Sequence, residues 1–237
     1  MRKFLLVSLL FACSLGLFGF SNHAAAANVK GGSVTVETIP GETLTQIITT
    51  RAEHSWPWYI VRASGIVAGF SLIALMLSGI GSVTGHFFKF LEPITAWATH
   101  RALGITFVAA VVIHVVMLLF DTFTPFTILH ILVPWASPYK PVSLFGIHLG
   151  SLFVALGVLA LYGAIIVLIT SLLWVDKKPR VWKLIHFATY GVIAAVFIHA
   201  LFLGTDTGHG LGRIAWILSG IAVVVAIIVR LRRTHTS

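Results

Sequence analysis

Four histidines in an otherwise apolar chain have the types and spacing for chemistry: His100, His114, His186 and His199. The first two are 14 residues apart and the second two 13. Each lies in a long apolar run, where an ionisable side chain is costly without a partner. Imidazole is a ligand for transition metals and for haem iron. Two spaced pairs on two membrane helices suit two stacked haems, each held by one histidine from each helix.

The elements that must position them follow from composition. The 237 residues are 58% hydrophobic and only 10% charged, against about 25% charged in soluble domains. Mean hydropathy is +0.99. The expectation is an all-α membrane protein, and the lipid bilayer is its first partner. The formal charge of +9 is no nucleic-acid signal, because lysines and arginines cluster at span ends. Residues 1–27 read as a secretory signal peptide, with Arg2 and Lys3, an apolar run and small residues up to Ala27. Five further runs are long enough to span: 58–83, 98–120, 147–175, 182–203 and 214–229. The fold expected is a bundle of five transmembrane helices after the signal peptide, or six if it stays uncleaved. Residues 28–56 form an extracytoplasmic tail, 57–230 the transmembrane domain and 231–237 a basic cytoplasmic tail. Cys13 is the only cysteine, so neither a disulfide within the chain nor thiolate metal chemistry is available.

Orientation follows from the basic stretches 175–180 and 230–233, which the positive-inside rule places in the cytoplasm. The Thr-rich segment 31–53, the loop 121–146 and the loop 204–212 then lie outside. Thr-rich 31–53 is open between a short strand pair and disorder. Loop 121–146 carries Pro125, Pro134, Pro138 and Pro141. It cannot be a standard span and reads as an interfacial or re-entrant flap.

With that topology the second and fourth spans run parallel. His100 pairs with His186 on the inner side, and His114 with His199 on the outer. The two levels are about 20 Å apart along the helix axis. Fourteen residues return to within about 40° of the starting face, but thirteen miss by about 140°. The fourth span must therefore be overwound, for example by a 3₁₀ stretch near Gly191, or cross its partner steeply. A repeat supports equal roles for the two helices. Ala109-Ala110-Val111-Val112-Ile113-His114 matches Ala194-Ala195-Val196-Phe197-Ile198-His199, and Asp121-Thr122 matches Asp206-Thr207 in register. The competing readings are interhelical hydrogen-bonding histidines and a zinc or copper site, which would want its ligands converging on one ion.

Arg62 lies at the outer level and is a candidate partner for a haem propionate, with snorkelling to headgroups as the alternative. Arg101 is the matching inner candidate, or a positive-inside anchor. Asp121 and Asp206, about 10 Å beyond the outer ligands, form a possible acceptor site for a cation or a basic partner. His54, His130, His148 and His209 are outer or interfacial, with His148 opening the third span as a spare ligand. His86 belongs to a cytoplasmic loop. Gly65, Gly69, Gly79 and Gly81 permit close approach of a helix or a macrocycle.

The runs Trp58-Tyr59-Ile60-Val61-Arg62-Ala63-Ser64-Gly65, His100-Arg101-Ala102-Leu103-Gly104, Leu132-Val133-Pro134-Trp135-Ala136-Ser137 and His199 with Gly204-Thr205-Asp206-Thr207 resemble bacterial ferric-reductase-like transmembrane proteins. That superfamily includes NADPH oxidases, ferric reductases and MsrQ-type (YedZ) haem subunits. The resemblance covers residues 57–230. It implies two haem b groups, with inner ligands His100 and His186 and outer ligands His114 and His199, in a bacterial inner (cytoplasmic) membrane. MsrQ-type proteins lack a histidine matching His100. The oxidases continue into a flavin and nicotinamide domain, for which this chain has no site. The electron donor expected is therefore a separate flavoprotein or a quinol, and the acceptor an extracytoplasmic metal ion or partner protein. Two other functions stand beside this one. One is a haem-binding anchor subunit of a periplasmic oxidoreductase, without substrate chemistry of its own. The other is a non-redox polar bundle, a transporter or scaffold.

Overall fold

The computed structural model describes residues 44–139, 143–144, 147–148 and 151–234. The expected signal peptide, Cys13, residues 28–43 of the tail, Pro141 and residues 235–237 lie outside the described residues. Of the chain's two compact units, the one that begins at Thr49 holds all four histidines.

Among the described residues seven α-helices are formed: α1 (Leu44–Val83), α2 (Pro93–Leu118), the short α3 (Ile128–Leu132), α4 (Leu152–Leu173), α5 (Pro179–His186), α6 (Thr189–Leu203) and α7 (Gly210–Thr234). Ser143–Leu144 and Ile147–His148 pair as a two-residue antiparallel ladder, too short to make a layer. Among the described residues, five stretches are long and apolar enough to cross a membrane: Ser55–Val83, Pro93–Leu118, Leu152–Leu173, Pro179–Leu203 and Gly210–Arg232. This is a multi-pass membrane protein whose bulk is helical.

Helix ends differ from expectation for local reasons. Pro93 and Pro179 occupy first-turn positions of α2 and α5, where a missing N–H costs nothing. Both spans therefore begin before their apolar runs. The Thr-rich stretch from Leu44 onward is helical, neither strand nor irregular chain. His148 lies in the ladder ahead of α4, so it does not open the third span.

Helix α1 is the centre of the bundle. In its most apolar window 44% is buried, against 11% for the second, fourth and fifth spans. Ala68, Leu72, Met76 and Ile80 recur every four residues on its inner face and join one core with Phe107 and Ala110 of α2, Ala160 of α4, Val192 and Ile193 of α6, and Trp216 and Val223 of α7. Trp216 locks the junction. It stacks on Phe197 at 5.4 Å, meets Phe70 edge-on at 5.6 Å and donates its indole N–H to the Phe197 carbonyl at 3.1 Å. The outer faces carry exposed Ile94, Ile105, Leu172, Leu218 and Val224. Such surface is stable in lipid and would be a liability in water.

The fourth span is broken. Between α5 and α6, the Ala188 N–H bonds to the Ile185 carbonyl at 2.8 Å and the Tyr190 N–H to the Phe187 carbonyl at 3.1 Å. Both are tight three-residue returns. The Thr189 hydroxyl caps the His186 carbonyl at 2.7 Å. The irregularity thus falls at Phe187–Ala188, while Gly191 sits in regular helix.

Candidate functional site: two histidine pairs

His100, near the start of α2, and His186, the last residue of α5, bring their ring centroids to 6.5 Å at an interplanar angle of 53°. His114 and His199, near the far ends of α2 and α6, line one cavity of about 320 Å³ between α1, α2, α4, α6 and α7. That volume is within the range of cofactor pockets. The structure therefore sets His100 beside His186 at one end of the second and fourth spans and puts His114 and His199 on one cavity at the other.

Hydrogen bonding fixes how three of the rings present themselves. His114 Nδ1 lies 2.9 Å from the Val61 carbonyl oxygen, and His199 Nδ1 lies 2.8 Å from that of Phe153. A carbonyl only accepts, so Nδ1 carries the proton in both and Nε2 keeps its lone pair. His100 reaches the same state through a hydroxyl. Ser78 Oγ is 2.9 Å from the Leu75 carbonyl and 2.9 Å from His100 Nδ1. Its single proton goes to the carbonyl, so it accepts from His100. Ring orientation by an Nδ1–H bond to a neighbouring acceptor is the usual support of a metal-ligating histidine.

His186 is held differently. Its ring lies 5.1 Å from Trp182, whose indole N–H donates to Ser171 Oγ of α4 at 3.1 Å. Its Nδ1 is buried without a hydrogen-bond partner.

Glycines make room for the rings. A Cβ on Gly65 would stand 3.1 Å from His114, one on Gly79 3.2 Å from His100, and one on Gly157 2.7 Å from His199. Gly65 and Gly79 are 14 residues apart on α1, matching the 14 between His100 and His114 on the antiparallel α2. Gly69 and Gly81 instead admit the rings of Trp216 and Phe87. Gly157, Ser78 and the carbonyls of Val61 and Phe153 were not singled out from sequence. Gly65 and Gly79 were named together with Gly69 and Gly81 only as places of close approach; a glycine interval equal to the histidine interval is what sets the first two apart. Nothing comparable marks a backbone carbonyl.

Arg62, Asp206 and Asp121 lie at the mouth of the cavity that His114 and His199 line. Arg62 grips Asp206 with two hydrogen bonds, Nε to Oδ2 at 2.9 Å and Nη2 to Oδ1, and lies over the Trp58 ring at 4.3 Å. Both side chains are mostly buried, at 20% and 18% exposure. Arg62 thus has an anion inside the chain, and the Asp206 carboxylate is engaged. Asp121 is buried, accepts from the Phe123 N–H at 3.1 Å and lines the same cavity. The flap around α3 contributes Phe126, His130 and Tyr139 to that lining, and the Tyr162 hydroxyl ties it to α4 through the Leu132 carbonyl. His130 Nδ1 accepts the Thr127 N–H as part of a capping box. Arg101 is exposed, 5.5 Å from the Trp97 ring on its own helix face. His209 is exposed, and the His86 ring bonds to Thr84. The side chains of His54 and His148 lie outside the described residues.

The ion pair gives a testable stability effect. Asp206→Asn leaves a mostly buried guanidinium uncompensated and should cost about 2 kcal/mol, whereas Arg62→Met with Asp206→Leu removes both charges and should recover most of it. Thermal unfolding of the three proteins in one detergent checks this.

Among the described residues no group of three or more His, Cys, Asp or Glu side chains converges. The four histidines fall two at each end of the second and fourth spans, a donor set that could hold a haem iron at each. Searches against protein-family models, curated proteins and solved structures found no match for the chain.

Proposed function

We propose that the chain is a di-haem b-type membrane cytochrome of the ferric-reductase-like kind. It carries electrons across a bacterial inner membrane from a cytoplasmic or membrane donor to an extracytoplasmic acceptor. The observation that carries this reading is the pairing of His114 with His199 in one cavity. Both present Nε2, with Nδ1 already bound to a backbone carbonyl. His100 and His186 supply the inner pair. Haem brings the one-electron chemistry. The four histidines would hold the haem irons, with the rings oriented by Val61, Phe153 and Ser78 and the site shielded by apolar helix faces. Arg62 and Asp206 form a neutral, rigid rim at the outer end, and Asp121 adds the negative charge there. The donor is a separate flavoprotein or quinol, and the acceptor a metal ion or partner protein. In this reading residues 1–27 are a signal peptide, and the arginine-rich end of α7 is cytoplasmic.

Transmembrane transfer tests the function itself. Proteoliposomes with trapped ferricyanide and an impermeant reductant outside should show reduction that depends on bound haem. Haem without any transfer would favour the anchor-subunit reading.

The Ser78–His100 bond gives a local prediction. Ser78→Ala removes the acceptor for His100 Nδ1 and should weaken retention of the inner haem by about tenfold, leaving the outer one in place. Haem loss to apomyoglobin, followed as two kinetic phases, checks it.

A further inference from the structure

A second cavity, of about 480 Å³, has no histidine in its lining and shares Gly69, Val196 and Trp216 with the first. It is a groove between α6 and α7 floored by α1, with Ile193, Phe197, Gly220 and Val224 along it and Tyr190 and Ile227 at one end. Its lining is almost wholly apolar, and Val224 and Ile221 on its rim are exposed where lipid would be. From Trp216 to Ile227 the groove follows α7 for 11 residues, about 17 Å. That is somewhat more than one leaflet of a ~30 Å hydrocarbon core.

The end at Tyr190 is not apolar. Arg230 donates to the Tyr190 hydroxyl, and its guanidinium lies 5.1 Å from the Phe187 ring and 5.7 Å from the Tyr190 ring. Among the described residues it has no carboxylate partner. A half-buried cation held on two aromatic faces has an unmet need for an anion. It stands where the apolar groove reaches the arginine-rich end of the bundle.

We infer that this groove is a binding site for one anionic phospholipid, its acyl chain along α6 and α7 and its phosphate on Arg230. Charge decides the occupant. A neutral quinone head would fill the same slot but leave the guanidinium uncompensated, and a zwitterionic lipid offsets its own phosphate.

Native mass spectrometry of the full chain released from mixed phosphatidylglycerol and phosphatidylcholine nanodiscs tests this. One phosphatidylglycerol should be retained per chain in preference to phosphatidylcholine of the same acyl length. Arg230→Gln should lower that preference about fivefold, near the share of one basic residue in anionic-lipid attraction. Arg230→Lys should keep most of it. Ala194→Leu, which fills the groove from its open side and leaves the arginine in place, should lower retention of both lipids. Soluble glycerophosphoglycerol, lacking the chain, should not compete. Equal retention of the two lipids, or unchanged preference in Arg230→Gln, would overturn the inference. So would displacement of the lipid by a menaquinone analogue that binds Arg230→Gln equally well.

Discussion

Replacing His199 by alanine should remove one of two haems and stop electron passage to the outer face. The cavity that His199 shares with His114 is walled by apolar side chains, and no other imidazole of α6 reaches it. His130 does line the cavity, but its Nδ1 is committed to the Thr127 N–H, which leaves Nε2 carrying a proton rather than a lone pair. No substitute ligand nitrogen is in place among the described residues. Haem content should fall from two to one per chain, and the remaining spectrum should be that of the His100–His186 site. Transfer into proteoliposomes should drop to the level of protein-free vesicles. His209→Ala, at an exposed position, should retain both haems and full transfer. Pyridine haemochrome assay with protein quantification reads the first result directly.

A steric change should act almost as strongly without touching a ligand. Gly157 of α4 faces the His199 ring so closely that a Cβ would stand 2.7 Å from Nδ1 and from Cε1. Real contacts do not reach that distance, and the ring is hemmed in by its bond to the Phe153 carbonyl on the same helix. Gly157→Ala must push the imidazole off its acceptor, which misaligns Nε2 and frees Nδ1–H. Loss of such support costs about 10- to 100-fold in metal affinity, so outer-haem retention should fall by that order. Gly191→Ala is the control. It lies in the same span as His199, and a Cβ there meets nothing within 4 Å. It should leave both haems bound and stabilise the helix slightly. If both alanines weaken the outer haem equally, the close fit of Gly157 is not the cause.

Apolar run length was enough to find all five spans, because lipid demands about 20 such residues whatever the fold. It was a poor guide to where helices start. Proline at the first turn of α2 and α5 extends each helix into polar sequence, and α1 continues back to Leu44 through residues that are helical without being apolar. The two histidine pairs were legible because spacing along parallel helices fixes level. Their supports were not. The carbonyls of Val61 and Phe153 are invisible in side-chain identity, and Arg62 meets Asp206 across 144 residues. The thirteen-residue interval correctly marked a helix that could not be regular. Phe187–Ala188 takes the break because His186 ends α5 there and Thr189 restarts the chain. Gly191, the residue that reads as the weak point, has open space around it and no reason to bend.

The central claim is that paired histidines at two levels hold two haems. The most direct measurement is haem per chain in the purified full-length protein, with its reduced-minus-oxidised spectrum, before and after His114→Ala combined with His199→Ala. The account predicts two haems with low-spin b-type bands in the wild type and one in the double variant. A colourless protein, or a haem content unchanged when both outer histidines are gone, would contradict it.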